Sequence, residues 1–204
     1  MRGRPPIIRD EEILDAARDV FRAEGHATTT AKIAKRARVS EGILFYRYQS
    51  KEALLAAVIR RETQPPEALR EIVKNAGRRS LRENLERIVE TLLESLSRAH
   101  PFLELAITSS TSGEIHKLLF AQGSKPPPQQ IVELLKGYFE DESRAGRARA
   151  IDANAAARAI FGGCLDHVRS GQGAGDTEGR AFVRGLVDVL AHGTVKTAAS
   201  RRQR

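Results

Sequence analysis

Apolar residues recur along this chain with the period of helices and almost nowhere with that of strands. Ile13, Leu14, Ala17, Val20 and Phe21 fall at offsets that build one stripe on a helix, which Asp10 could cap and Gly25 could end. The spacing returns in Leu81, Leu85, Ile88, Val89, Leu92, Leu93 and Leu96, then in Ile131, Leu134, Leu135, Tyr138 and Phe139. It appears a last time in Phe182, Val183, Leu186, Val187 and Leu190. No segment alternates as a strand, no repeat emerges, and the pattern predicts an all-α chain of about nine helices.

Local chemistry marks the breaks. Pro65 and Pro66 interrupt a helix that begins near Ser50, and Pro101 is placed by this reading in the first turn of a new helix. "GSKPPP" separates two periodic runs before Gln129, and "SGQGAGD", Ser170 to Asp176, reads as a loop before the last helix. The segment Asp152 to Ser170 is dense in alanine and glycine. Small side chains let helix backbones approach closely, so this helix either packs against a partner or is simply alanine-rich.

One stretch stands apart: "TTTAKIAKRARVSEGILFYRYQSKE". Ile33, Ala34 and Ala37 form one face of a short helix with Thr29 at its N-cap, "RVS" permits a tight turn, and Ser40 caps a second short helix whose Leu44 points inward. A longer helix precedes them, so the layout is that of a helix-turn-helix. From Thr28 to Lys51 there are Lys32, Lys35, Arg36, Arg38, Arg47 and Lys51 against Glu41 alone, +5 of the chain's formal +8. Phosphates favour such a surface, although a solvated basic face has the same composition.

Composition agrees. The 204 residues suit one full core or a small domain plus a larger one, and the sequence pI near 10.0 points to a polyanionic partner. The single cysteine, Cys164, cannot form an internal disulfide, and no apolar run approaches a membrane span. "RDEE" stands where a signal peptide would carry its apolar run, so a cytoplasmic protein with no membrane partner is expected. His26, His100, His116, His167 and His192 contain no pair at metal-ligand spacing, and Asp166 would point away from its neighbour His167. "GQGAG" lacks a preceding strand and a lysine, and Cys164 has no sequence cue for a catalytic base. No enzyme, metal or cofactor is expected.

The ordered series "ILDAARDVFRAEG", Thr29 and Thr30, Ile33 and Ala34, Ala37, Val39 and Ser40, Gly42, and "SKEALL" resembles the TetR family of bacterial transcriptional regulators over about the first third of the chain. The resemblance implies that Thr29 or Thr30 caps the second helix and touches a phosphate. Ser40, Glu41, Gly42 and Ile43 would face base edges in the major groove. Phe45, Tyr46 and Arg47 would flank the DNA backbone, and Lys51 would donate to a phosphate.

Four positions depart from the family pattern. Phe45 replaces a tyrosine, Arg38 a glycine of the turn, and Lys32 an acid, exchanging a capping box for a phosphate ligand. Glu41 is the fourth. It either accepts from cytosine N4, or pairs with Arg38, or caps the helix. The leading "MRGRPP" has the Arg-Gly-Arg-Pro core of an AT-hook, so Arg2 and Arg4 either enter a minor groove or belong to a disordered basic tail.

Beyond about Glu62 the resemblance is architectural. It implies a homodimer through the last two long helices, 152–170 and 176–195, a near-palindromic operator, and a cavity for a small, largely apolar effector. Candidate wall residues are Phe102, His116, Phe120, Phe139, Cys164 and His167, each of which could equally be ordinary core. The expected organisation is a basic arm (1–8), a three-helix helix-turn-helix domain (9–55, its fourth helix running to about 62), a larger helical effector-binding and dimerisation domain (56–196) and a basic tail (197–204). The expected function is a ligand-released repressor that binds double-stranded DNA. An architectural DNA-binding protein without an effector is the alternative, and a helical ligand-binding or catalytic protein a third.

Overall fold

The computed structural model describes residues 9–120, 125–149, 151–172 and 177–194, with side chains to 191. The proposed arm with Arg2 and Arg4, the basic tail, the His192 side chain and part of the loop before the last helix lie outside these residues. Among the described residues there are ten α-helices, one 3-10 turn (Gly25–Ala27) and no β-strand. The helices are α1 (Asp10–Glu24), α2 (Thr30–Ala37), α3 (Glu41–Tyr48), α4 (Lys51–Glu62), α5 (Glu67–Lys74), α6 (Leu81–Thr108), α7 (Ser112–Phe120), α8 (Pro127–Arg144), α9 (Ala153–Arg169) and α10 (Thr177–Thr194).

Two expectations about helix ends are corrected. Arg9, not Asp10, is the N-cap of α1, and no side chain caps that end. Asp10, Glu11 and Glu12 instead occupy the first turn, where carboxylates favour the positive end of the helix dipole. Pro101 does not start a helix; it lies inside the 28-residue α6. An interior proline costs about 3 kcal/mol, but Leu96, Ala99, Phe102 and Leu105 around it are all buried. Apolar burial on either side of the proline outweighs the lost hydrogen bond.

The helices form two compact units. The first comprises residues up to 62 together with 99–125, and the second comprises 63–98 with 126 onward. In the first, Ile13, Ala17 and Phe21 of α1 pack with Ile33, Ala34, Leu44, Leu54, Val58 and Phe102. In the second, the apolar stripe of α6 from Leu81 to Leu96 packs with Ile131, Leu135 and Phe139 of α8, Ile160 and Cys164 of α9, and Val183 and Val187 of α10. Burial pushes the Cys164 thiol up to about 12, which keeps it protonated and unreactive.

One ion pair of the second unit fixes a turn. Glu142, fully buried, accepts a 2.7 Å hydrogen bond from Nε of Arg147, and burial followed by the Glu142 charge raises the pKa of neighbouring Tyr138. Gly77 has φ of +84°, and a Cβ there would stand 2.7 Å from the Arg147 guanidinium. Only glycine satisfies both the backbone angle and that approach.

Candidate nucleic-acid interface

Short helices are marginal alone, so the two eight-residue helices α2 and α3 need caps and anchors. Thr29 caps α2, its hydroxyl accepting from the backbone N–H of Lys32 at 3.3 Å. Ser40 caps α3 in the same way, accepting from Ile43 at 3.4 Å. Each such cap contributes about 1 kcal/mol. Between them the chain turns through Arg38, which adopts the left-handed conformation (φ 57°, ψ 39°) that ends α2. The adjacent amide of Val39 donates to Ala34 at 3.0 Å and closes the turn. A residue with a β-carbon bears roughly 1 kcal/mol or more of strain there.

α3 touches its own domain sparingly. Leu44, 2% exposed, is its single buried residue, and Tyr48 adds a partly buried ring. Ser40, Glu41, Gly42, Ile43, Phe45, Tyr46 and Arg47 are exposed, Tyr46 by 88%. An aromatic ring left in water, beside exposed Ile43 and Phe45, is the signature of a surface that serves a partner. Tyr48 therefore packs the domain, whereas Phe45 and Tyr46 face away from it.

The basic side chains are more engaged than their count suggests. Lys32 pairs with Glu24 at 2.8 Å, Arg36 with Asp19 at 3.0 Å and Arg47 with Asp10 at 2.6 Å. The hydrogen bond from Arg36, and then that from Arg18, holds the Asp19 carboxyl below the usual carboxylate range. Lys51 donates its ammonium to the Thr28 carbonyl at 3.2 Å, tying the start of α4 to the turn before α2. Among the described residues Lys35 and Arg38 make no ion pair. These two and Lys51, whose partner is a neutral carbonyl, carry charges that no carboxylate compensates, a distinction that needs residues far apart in sequence to be placed together.

Glu41 has a partner that sequence reading did not identify. Its carboxylate accepts from the Thr30 hydroxyl at 3.1 Å and does not pair with Arg38. The bond joins the first turns of the two helices and leaves the other carboxylate oxygen available. Thr30 is thus turned toward Glu41, while the neighbouring Thr29 supplies the cap.

A phosphate that takes Lys32 must compete with Glu24. Exposed pairs of this kind are worth roughly 0.2 to 1 kcal/mol. Glu24→Gln is therefore expected to tighten DNA binding by roughly twofold to fivefold on every sequence alike. Titration of wild type and variant on two unrelated duplexes at one salt concentration checks this; a gain on one duplex only would contradict it.

The six residues considered for an effector cavity divide between the two units. Phe102 is fully buried with the Arg22 guanidinium 5.5 Å from its ring centre, and His116 and Phe120 stand exposed on α7 with rings 4.4 Å apart. In the second unit Phe139 packs edge-on to Tyr138, Cys164 is sealed in the core, and His167 stacks on Phe182 at 4.2 Å. Two open grooves of about 360 and 580 Å³ on the second unit are lined by other side chains, among them Arg70 and Leu134 in one and Lys136 and Phe161 in the other. Among the described residues no three His, Cys, Asp or Glu side chains gather to hold a metal ion, and no helix is long and apolar enough to cross a membrane.

Comparison with known proteins agrees with this geometry. Residues 13–58, spanning most of α1 to α4, match the family described as bacterial regulatory proteins, tetR family. No curated protein sequence matches the chain significantly. Among solved structures, a protein of Mesorhizobium loti assigned to the TetR-family transcriptional regulators is similar with a TM-score of 0.73 and 15% identity, over 91% of this chain and 96% of that one. The transcriptional regulator FadR of Bacillus subtilis, in complex with stearoyl-CoA, is similar at 0.62 and 19%, over 91% and 99%. NalD of Pseudomonas aeruginosa, the secondary repressor of the MexAB-OprM multidrug efflux pump, is similar at 0.59 and 20%, over 91% and 96%. The match to the tetR family of bacterial regulatory proteins therefore rests on residues 13–58, and the helices of the chain take the fold of the similar TetR-family structures.

Proposed function

We propose that the protein is a homodimeric transcriptional repressor that reads a near-palindromic operator with α3 and is released by a small molecule. The observation that carries the reading is α3 itself: an eight-residue helix held by one buried leucine and a serine cap, with its remaining surface given over to solvent. The N-terminal residues Ser40, Glu41, Gly42 and Ile43 supply hydrogen-bonding and apolar groups for base edges, while Thr29, Lys32, Tyr46, Arg47 and Lys51 serve the phosphates. Ion pairs at Lys32 and Arg47 exchange a carboxylate for a phosphate on binding.

Dimerisation through α9 and α10 is supported by what those helices leave uncovered. Ala155, Ala159 and Gly162 on α9 are exposed, as are Gly185 and Val189 on α10, the last by 73%. Backbones at such positions can approach closely. A twofold dimer sets two reading helices about 34 to 36 Å apart or somewhat more, which asks for an operator with inverted halves. Release by an effector requires a ligand with different affinity for the bound and free conformations. The bound stearoyl-CoA of the similar FadR structure supports an effector that carries a long apolar chain.

Gly42 gives a test that separates binding from folding. It is exposed within the first turn of α3, and an added Cβ would meet nothing nearer than the Ser40 hydroxyl at 3.8 Å. Nothing within the chain requires glycine there, and alanine favours the helix by up to about 1 kcal/mol. A close approach by DNA supplies the requirement. Gly42→Ala is expected to keep or raise the melting temperature and to weaken binding about tenfold, the equivalent of roughly 1.4 kcal/mol, on a duplex selected by the wild type. Unchanged affinity would remove α3 from the base-facing position.

A further inference from the structure

Six of the described residues have a positive φ, and four of them are glycine: Gly25, Gly77, Gly146 and Gly171. The two exceptions, Arg38 (φ 57°) and Gln49 (φ 65°), bracket a single helix, Arg38 two residues ahead of the serine that caps α3 and Gln49 directly after Tyr48 at its end. Each has a β-carbon that disfavours this conformation, so glycine would be the easier residue at both. Backbone strain kept on either side of one exposed helix points to a use for the side chains placed there.

The fold itself makes no use of the Arg38 side chain. Its backbone is engaged, the amide donating to the Lys35 carbonyl at 3.3 Å. Its guanidinium is exposed and has no hydrogen bond or ion pair among the described residues. The negative end of the α2 dipole does not require it either, since Lys35 and Arg36 already occupy the last turn of that helix. Lys32, Arg36 and Arg47, by contrast, are each held by a carboxylate. Beyond Arg38 the chain is fixed again: Val39 packs against the core of the first unit, and Ser40 caps α3 through the Ile43 amide. A free guanidinium is thus carried on a well-held backbone at the entrance to α3.

We propose that Arg38 binds a phosphate of the DNA backbone beside the groove that α3 enters. The proposal rests on the reading of α3 as the DNA-facing helix and adds to it a positioning residue that acts on the backbone and not on the bases. When the second helix of such a pair lies in the major groove, the first crosses the DNA backbone, which brings the turn between them close to the phosphates. A guanidinium can give two parallel hydrogen bonds to phosphate oxygens. That of Arg38 does so without first leaving a carboxylate, the exchange that Lys32 and Arg47 must make. Glycine at position 38 would hold the turn with less strain and forfeit the contact.

The test compares the full chain with Arg38→Gly, Arg38→Lys and Gln49→Gly by melting temperature and by affinity at several salt concentrations, on a duplex selected by the wild type and on an unrelated one. Arg38→Gly should melt about 2 to 4 °C higher because its turn relaxes. It should nevertheless bind both duplexes about tenfold more weakly, with a salt dependence shallower by close to one phosphate contact per protomer. Arg38→Lys keeps the charge and should keep the salt dependence. Gln49→Gly, which relieves the other strained position and removes no charge, should also melt higher and keep it. Unchanged affinity and salt dependence in Arg38→Gly would overturn the proposal and leave α3 as the reading helix. A lower melting temperature in that variant would overturn it by giving the side chain a structural role. A loss confined to the selected duplex would overturn the phosphate assignment in favour of a base edge. An equally shallow salt dependence in Gln49→Gly would trace the effect to the ends of α3 and not to the guanidinium. Absence of wild-type binding to any duplex would overturn the reading of α3 and this proposal together.

Discussion

Leu44→Ala is expected to abolish specific DNA binding while leaving the second unit folded. Leu44 is the only residue of α3 sealed in the core of the first unit, where it belongs to the cluster of Ile33, Ala34, Phe21 and Leu54. Removing its side chain forfeits the transfer energy and leaves a cavity, together about 2 to 5 kcal/mol. An eight-residue helix has little intrinsic stability to set against that loss. The Ser40 cap, worth about 1 kcal/mol, does not compensate. Circular dichroism should therefore retain most of the helical signal, an early melting step should appear, and affinity for a selected duplex should fall to the non-specific level. Full affinity in a variant that melts as wild type does would show that α3 is held by something other than this anchor.

The second large effect is expected at Glu41. Its carboxylate is fixed on one side by the Thr30 hydroxyl and stands at the exposed start of α3. A carboxylate there repels phosphates generally, yet accepts from a cytosine amino group when held against the base edge. Glu41→Ala is accordingly expected to tighten binding to arbitrary DNA and to lose about 1 to 3 kcal/mol of discrimination at one base pair of the operator. Thr30→Val, which removes the bond that orients the carboxylate, should blur the same base pair and no other. The measurement is affinity across a set of duplexes, each with one substituted position. A uniform gain with unchanged base preference would leave Glu41 with a purely local role.

These expectations rest on parts of the fold that differ in how far the sequence discloses them. The helix-turn-helix was legible because its determinants are local: Thr29 and Ser40 lie three residues from the amides they cap, and Ile33, Ala34 and Leu44 follow a helical period. The unusual Arg38 was legible too, since the turn requires a left-handed residue whatever occupies it. Pro101 misled because the rule for proline is local, whereas the burial that overrides it on α6 comes from residues distant in sequence. The same distance hid the partners of the basic residues. Lys32 and Arg47 read as free phosphate ligands until Glu24 and Asp10 were placed beside them, 8 and 37 positions away in the chain.

The most direct test of the central claim is selection by the purified full chain from a random duplex pool, near physiological salt. The expected result is recovery of an inverted repeat whose half-sites are spaced for two α3 helices, with enrichment lost in Leu44→Ala. Enrichment without a consensus would contradict sequence-specific reading and leave an architectural DNA-binding protein. Failure to retain any DNA would contradict the assignment of α3 to nucleic acid altogether.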